Sequence, residues 1–151
     1  GVLPVVAAAP GLAAEAERTG LLHVEGSSLL LFRAADAALC KSGTSTLEAA
    51  VAGCPLVVAY RTSAWTYASA RRLVRVPHIA LVNLVGGREV VPEFVQRDAT
   101  VSKLVAALEP LLETESVVRR RQLDDLARVR ASLGTPGAAA RVAAMVVSLL
   151  Q

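Results

Sequence analysis

Short apolar runs alternate with helix-period segments along most of the chain, and glycine, proline and hydroxyl residues punctuate the joints. The runs at 2–9, 21–24, 37–40, 56–60 and 79–82 lack the polar alternation of a half-exposed strand, so they predict strands covered on both faces. Helical patterns fall between them: 11–19, closed by Gly20; a segment after Ser27 or Ser28 that carries Leu29 to Phe32; and 45–52, closed by Gly53 with Pro55 blocking its continuation. A further helix runs from Thr62 or Ser63 to Leu73, with Trp65 and Tyr67 near its start. Strand and helix in regular alternation predict βαβ units, hence a parallel sheet with helices on both faces. From residue 90 the pattern is helical to the end: a short segment 90–96, a helix 101–112 capped by Thr100, a longer one over 116–133, and a last one over 137–150. Val117, Leu123, Leu126, Val129 and Leu133 share a face of the third of these, while the last is apolar over much of its circumference and needs burial against something.

The joint at residues 41–50 organises the rest. The apolar run 37–40 ends in Lys41-Ser42-Gly43-Thr44, and the chain turns at once into Ser45-Thr46-Leu47-Glu48-Ala49-Ala50. At such a helix start the first backbone N–H groups have no internal partner and the macrodipole is positive, which suits phosphate. Ser42 and Thr44 bring hydroxyls, Gly43 lets an anion approach the backbone, and Glu48, one turn on, is placed to accept from a ribose diol. Ser45-x-x-Glu48 also fits a capping box, in which the glutamate reaches back to the cap residue's N–H. Local sequence leaves both readings open. A second polar segment follows the predicted strand 79–82: Asn83-Leu84-Val85-Gly86-Gly87-Arg88-Glu89. Ligands of open α/β sheets sit beyond the carboxyl ends of the strands, so both segments are expected on one side.

Composition narrows the class. The 151 residues are 54% hydrophobic but only 3% aromatic, a core of Ala, Val and Leu that fits the parallel sheet. No apolar stretch approaches the roughly 18 to 20 residues of a membrane span and no signal-peptide pattern opens the chain, so a soluble intracellular protein is expected. The net charge of +3 is mild, and aromatics interleaved with basic residues for base stacking are missing, so nucleic acid is not an expected partner. Basic residues cluster at Arg71, Arg72 and Arg75 and at Arg119, Arg120 and Arg121; these read first as solvated helix faces, then as contacts to an anionic membrane surface or a phosphate-bearing ligand. Cys40 and Cys54 show no metal spacing and read as reduced, buried small hydrophobes. His23 and His78, each beside an apolar run, read as structural. A strand so close to Gly1, with no helix before it, suggests a piece of a longer protein.

Three segments together carry a family resemblance: Ser42-Gly43-Thr44-Ser45-Thr46-Leu47-Glu48, the strand Cys54-Pro55-Leu56-Val57-Val58-Ala59-Tyr60-Arg61, and Val82-Asn83-Leu84-Val85-Gly86-Gly87-Arg88-Glu89. The chain resembles lipid-A-disaccharide synthase over essentially its whole length, with Val82 where the family pattern has proline. The resemblance implies the C-terminal half of a glycosyltransferase with twin Rossmann-like domains of the GT-B type: residues 1–151 as the nucleotide-sugar-binding domain, with 101–151 as a helical tail. It implies transfer of 2,3-diacylglucosamine from UDP-2,3-diacylglucosamine to 2,3-diacylglucosamine 1-phosphate, with inversion and release of UDP, in lipid A biosynthesis. Neither cofactor nor metal is implied. On this carry-over Ser42, Gly43 and Thr44 hold phosphate, Glu48 takes the ribose hydroxyls, Asn83 and Arg88 face the cleft with Arg88 as counter-charge to the diphosphate, and Glu89 is a further substrate contact.

The family's N-terminal domain, which carries the catalytic base and much of the lipid-binding surface, is not in these residues, nor is its glycine-serine-arginine loop. No catalytic residue is therefore assigned, and the chain by itself is expected to lack transferase activity. The resemblance also implies a cytoplasmic protein peripheral to the inner membrane. For the apolar closing helix, exchange between two protomers and return to the N-terminal domain both stay open. The alternatives in function are another UDP-sugar transferase or epimerase of the same fold, and a non-catalytic interaction module whose 42–48 segment is a capped helix and nothing more.

Overall fold

The structure, a computed structural model, describes residues 1–63, 65, 67, 77–135 and 137–149. Strand β1 (Val5–Ala8) leads through α1 (Ala13–Glu17) to β2 (Leu22–Glu25), and the two strands pair in parallel with Val5 opposite Leu22 and Ala8 opposite Glu25. Helix α2 (Ser28–Ala34) carries the chain into β3 (Ala38–Lys41), α3 (Ser45–Ala52) and β4 (Leu56–Tyr60). Residues from Pro77 lead into α4 (Leu81–Gly86), β5 (Glu93–Val95) and a 3-10 turn at Gln96–Asp98. Three helices follow: α5 (Val101–Leu112), α6 (Val117–Ser132) and α7 (Ala138–Leu149). Strands β3, β4 and β5 form a second parallel sheet in that order, with Ala38 opposite Leu56 and Val58 opposite Glu93. The α/β class expected from the alternation is present, with the strands hydrogen-bonded as a pair and a triplet.

The predicted helix from residue 62 to 73 falls mostly outside the described residues, as do Arg71, Arg72 and Arg75. Trp65 and Tyr67 are helical, and the Tyr67 N–H donates to the Ser63 carbonyl at 3.0 Å.

Two neighbouring elements differ from expectation. Residues 79–82, read as a strand, turn into α4, and 90–96, read as a helix, supply β5 instead. The cause is a buried polar network, which apolar periodicity does not report. The Glu93 carboxylate accepts from the N–H groups of Ile79 (2.8 Å) and Ala80 (3.1 Å), capping the start of α4. The Asn83 side-chain oxygen accepts from the Val90 and Val91 N–H groups at 2.7 and 2.9 Å, holding that stretch extended so that β5 can pair with β4.

Strand β4 lies at the centre, with Leu56, Val57 and Val58 buried. Cys40, Ala49, Ala50, Cys54, Val82, Val90, Val91, Leu126 and Val129 belong to the core around it. Gly86 permits the tightest approach in this core: a Cβ there would stand 2.6 Å from a Val90 methyl and 3.3 Å from a Val129 methyl. The glycine pair at 86–87, which the sequence placed in a ligand loop, is therefore a packing contact followed by a left-handed helix end at Gly87 (φ +65°).

Helix α6 buries Leu126 and Val129 of the expected stripe but is turned toward Gln122 and Asp125. Gln122, Asp125, Leu126 and Val129 face inward, while Val117 and Leu133 are exposed. The rotation follows from Gln122, whose amide pairs with both backbone groups of Leu56, accepting from N–H at 2.7 Å and donating to the carbonyl at 3.1 Å. Helix α7 has no buried residue and leaves Val142, Met145, Val146, Val147 and Leu149 exposed. Among the described residues, no helix is long and apolar enough to cross a membrane.

Candidate functional site

Parallel strands all end on one edge, and the loop after β3 opens there. Gly43 adopts φ +155°, with nothing within 4 Å of the position a Cβ would take, so the backbone lies open to an approaching group. Thr44 is the N-cap residue of α3, yet its side chain makes no capping bond. The Ser45 hydroxyl donates backward to the Lys41 carbonyl at 3.3 Å, and Glu48 turns aside to accept from the Ser28 hydroxyl. The capping box that the sequence allowed is not made. Among the described residues, the N–H groups of Gly43, Thr44 and Ser45 meet no acceptor. That leaves a cluster of polarised donors at the positive end of an eight-residue helix.

The two hydroxyls credited to this loop act differently. Ser42 donates to the Ile79 carbonyl at 2.8 Å, so its proton holds the loop against the start of α4. Thr44 is exposed at the mouth. Thr46, which the sequence did not single out, is fully buried; its hydroxyl donates to the Gly43 carbonyl at 2.8 Å and accepts from the Val82 N–H at 3.4 Å. Glu48 lies at the same edge, because its partner Ser28 opens α2 directly behind the end of β2.

Asn83 does not face the cleft. It is 0% exposed, and besides holding Val90 and Val91 its amide nitrogen donates to the Val91 carbonyl (2.8 Å) and to Glu93 Oε1 (2.6 Å). Every direction of the amide is engaged by the chain itself. A line of contacts nevertheless links it to the mouth, from Asn83 to Glu93, to the Ile79 backbone, to Ser42. Glu93 left no local trace in the sequence, because its partners lie 10 to 14 residues away. His78 stands beside this network, Nδ1 3.8 Å from Glu93 Oε1, and His23 sits in β2 opposite Val6.

Arg88 and Glu89 fall at the other end of the sheet. Helix α4 begins next to the 42–46 loop and runs back, so the residues after Gly87 arrive where β4 and β5 begin. There the Arg88 guanidinium, 46% exposed, pairs with the Asp125 carboxylate, which is 7% exposed and also accepts from Arg128 at 3.0 Å. Two adjoining grooves lie along this edge, of 510 and 310 Å³, the first lined by Arg88, Arg120, Arg121, Asp124, Asp125 and Arg128. Glu89 is exposed on the rim of the second. The structure thus gathers Ser42, Gly43, Thr44 and Glu48 at one edge and leaves Arg88 and Glu89 at the opposite one. The reason is the misread element: a strand at 79–82 would have delivered residues 83–89 to the mouth, and a helix there carries them away.

The profile of the family described as lipid-A-disaccharide synthetase matches residues 10–144, nearly the whole chain. The chain belongs to the lipid-A-disaccharide synthase family. Among its relatives, the lipid-A-disaccharide synthase of Anaeromyxobacter dehalogenans (strain 2CP-C) is 48% identical over 128 residues, covering 85% of this chain and 33% of the relative. That of Acidobacterium capsulatum is 46% identical over 119 residues (78% and 30%), and that of Syntrophus aciditrophicus 40% identical over 139 residues (91% and 36%). The chain spans about a third of the length of these curated relatives.

The segments that carry the resemblance to lipid-A-disaccharide synthase have distinct physical jobs. Residues 42–48 form the open helix start, 54–61 the central strand, and 82–89 the helix and turn that brace the first against α6. Both cysteines are buried, Cys40 in β3 just before the loop and Cys54 just before β4. Burial pushes the Cys40 thiol up to about 12, assisted by Cys54 and Glu48, and the Cys54 thiol up to about 11, with Arg119 opposing and Asp36 assisting. They are inert packing groups, as the sequence suggested. Arg119 is no solvated face: it donates to the carbonyls of Asp36 (2.6 Å) and Leu111, fastening α6 to the chain before β3 and to the end of α5. Arg120 does lie in solvent, paired with Glu115 at 3.3 Å.

Proposed function

We propose that this chain supplies the donor-binding part of a lipid-A-disaccharide synthase, and that the start of α3 holds the diphosphate of a UDP-sugar. One observation carries the reading: the helix start at 43–45 presents backbone donors that no side chain of the described residues caps, beside a carboxylate at the same edge. Bound there, the diphosphate oxygens accept from the N–H groups of Gly43, Thr44 and Ser45 and from the Thr44 hydroxyl. Glu48 receives the ribose. The same donors stabilise negative charge as it grows on the departing UDP, which is how a helix terminus assists glycosyl transfer. Ser42, Thr46, Glu93 and Asn83 keep the loop in shape, while Arg88, with Glu89 beside it, acts from the far edge by fastening α6 through Asp125.

In this reading the reaction is inverting transfer of 2,3-diacylglucosamine from UDP-2,3-diacylglucosamine to 2,3-diacylglucosamine 1-phosphate, in lipid A biosynthesis. The base that takes the acceptor's proton belongs to a separate N-terminal domain, and the enzyme works on the cytoplasmic face of the inner membrane, where both lipid substrates reside. Calorimetric titration with UDP tests the donor site. Glu48→Ala is expected to weaken binding by roughly 10- to 100-fold, the effect of losing hydrogen bonds to a charged acceptor. Its unfolding free energy should fall by no more than about 1 kcal/mol, because the carboxylate has no capping duty to lose and gives up only its partly exposed bond to the Ser28 hydroxyl. Unchanged affinity in that variant, or a wild-type chain indifferent to UDP, overturns the proposal.

A further inference from the structure

The position of Glu48 depends on a neighbour that neither helix periodicity nor the family segments point to. Ser27 and Ser28 are both cap-type residues, and they divide the work. Ser27 is the N-cap of α2, its hydroxyl accepting from the Leu30 N–H at 3.4 Å, and this sets the first turn of the helix. Ser28, the first helical residue, is left to donate its one hydroxyl proton to Glu48 Oε2. Among the described residues, Glu48 Oε1 has no partner. The contact joins two helices across 20 residues of sequence, at the edge where the β3 loop opens.

We infer that Ser28 is a specificity-determining residue of the donor site, selecting nucleotides that keep both ribose hydroxyls. This rests on the proposed binding of UDP at the start of α3. With its proton committed to Glu48, the Ser28 oxygen offers an incoming group only lone pairs. Beside it stands Glu48 Oε1, also an acceptor. Two acceptors side by side match the two donors of a cis-diol, and a deoxynucleotide leaves one of them without a donor. Sites built around a substrate hydroxyl discriminate strongly against analogues that lack it. Ser28 also fixes which carboxylate oxygen is turned to the mouth, so removing its hydroxyl lets the Glu48 side chain rotate and blurs the choice.

The test compares UDP with 2′-deoxy-UDP and 3′-deoxy-UDP by calorimetry on the full chain, in wild type, Ser28→Ala and Ser28→Thr. Wild type should prefer UDP to the weaker-bound deoxy analogue by about tenfold or more, the scale of one charge-assisted hydrogen bond. Ser28→Ala should cut that preference below about threefold, and Ser28→Thr, which keeps the hydroxyl, should retain it. A structural role alone would weaken all the nucleotides together and leave the ratio intact. An unchanged ratio in Ser28→Ala overturns the inference while leaving UDP binding at α3 in place. Absence of UDP binding in wild type, by contrast, removes the donor site itself and the inference with it.

Discussion

The two edges of the β3-β4-β5 sheet carry similar chemistry and use it in opposite ways. At the edge where strands begin, these charged and polar groups are paired within the chain: Arg88 and Arg128 on Asp125, Arg119 on two carbonyls, Gln122 on both backbone groups of Leu56. At the edge where strands end, the N–H groups of Gly43, Thr44 and Ser45 meet no acceptor among the described residues, and the Thr44 side chain stays off its own helix. A region that engages its polar groups internally is holding the fold together. One that leaves polarised donors exposed at a helix end has kept capacity for something outside the chain. An arginine-rich groove therefore carries less weight for the proposed donor site than three amides that the described residues leave uncapped.

Breaking the brace between the edges should give the largest effect. Asn83→Ala leaves the buried N–H groups of Val90 and Val91 without their acceptor and takes one of two donors from Glu93 Oε1, and is expected to cost on the order of 3 kcal/mol or more in urea unfolding. Loss of UDP binding should follow only as far as the protein unfolds. If Asn83→Ala were as stable as wild type yet failed to bind UDP, the amide would be a ligand contact, contrary to its buried position.

A smaller change separates the edges more cleanly. Asp125→Asn removes the charge shared by two partly exposed arginines, and should lower stability by about 1 kcal/mol while leaving UDP affinity within about twofold of wild type. The Glu48→Ala variant should show the reverse pattern. A marked loss of UDP affinity in Asp125→Asn would place the functional edge on the wrong side of the sheet.

The subtlest expectation concerns the thiols that both edges enclose. Their folded pKa values, about 12 for Cys40 and about 11 for Cys54, lie above the ordinary 9.0. Protonated thiols therefore contribute stability that is complete below about pH 9 and is lost as pH rises toward their folded values. Replacing both cysteines by alanine should flatten the alkaline limb of stability against pH, even though the absolute stability falls. An alkaline limb equally steep without the thiols would assign it to other groups.

Much of this was legible one residue at a time. Strand β4, its Gly53-Pro55 approach and helix α5 with its Thr100 cap all appear where sequence places them, because glycine, proline and threonine act on the backbone beside them. So does the strand-loop-helix joint at 38–52, since a strand, a turn and a helix start are adjacent in sequence. What escaped were the elements built by distant partners. An acid at 93 capping a helix that starts at 81, and an asparagine at 83 holding 90 and 91 extended, reversed the assignments of both stretches and moved Arg88 to the opposite edge.

The sequence by itself determined the βαβ alternation, the family and the place of the helix start, all of which rest on local backbone preference or on contiguous motifs. Tertiary structure alone decided which of those polar groups stay available. Whether Glu48 caps its own helix or meets Ser28, and whether Ser42 keeps its proton for a ligand or gives it to Ile79, depends on what the fold brings within 3 Å or so, the reach of a hydrogen bond.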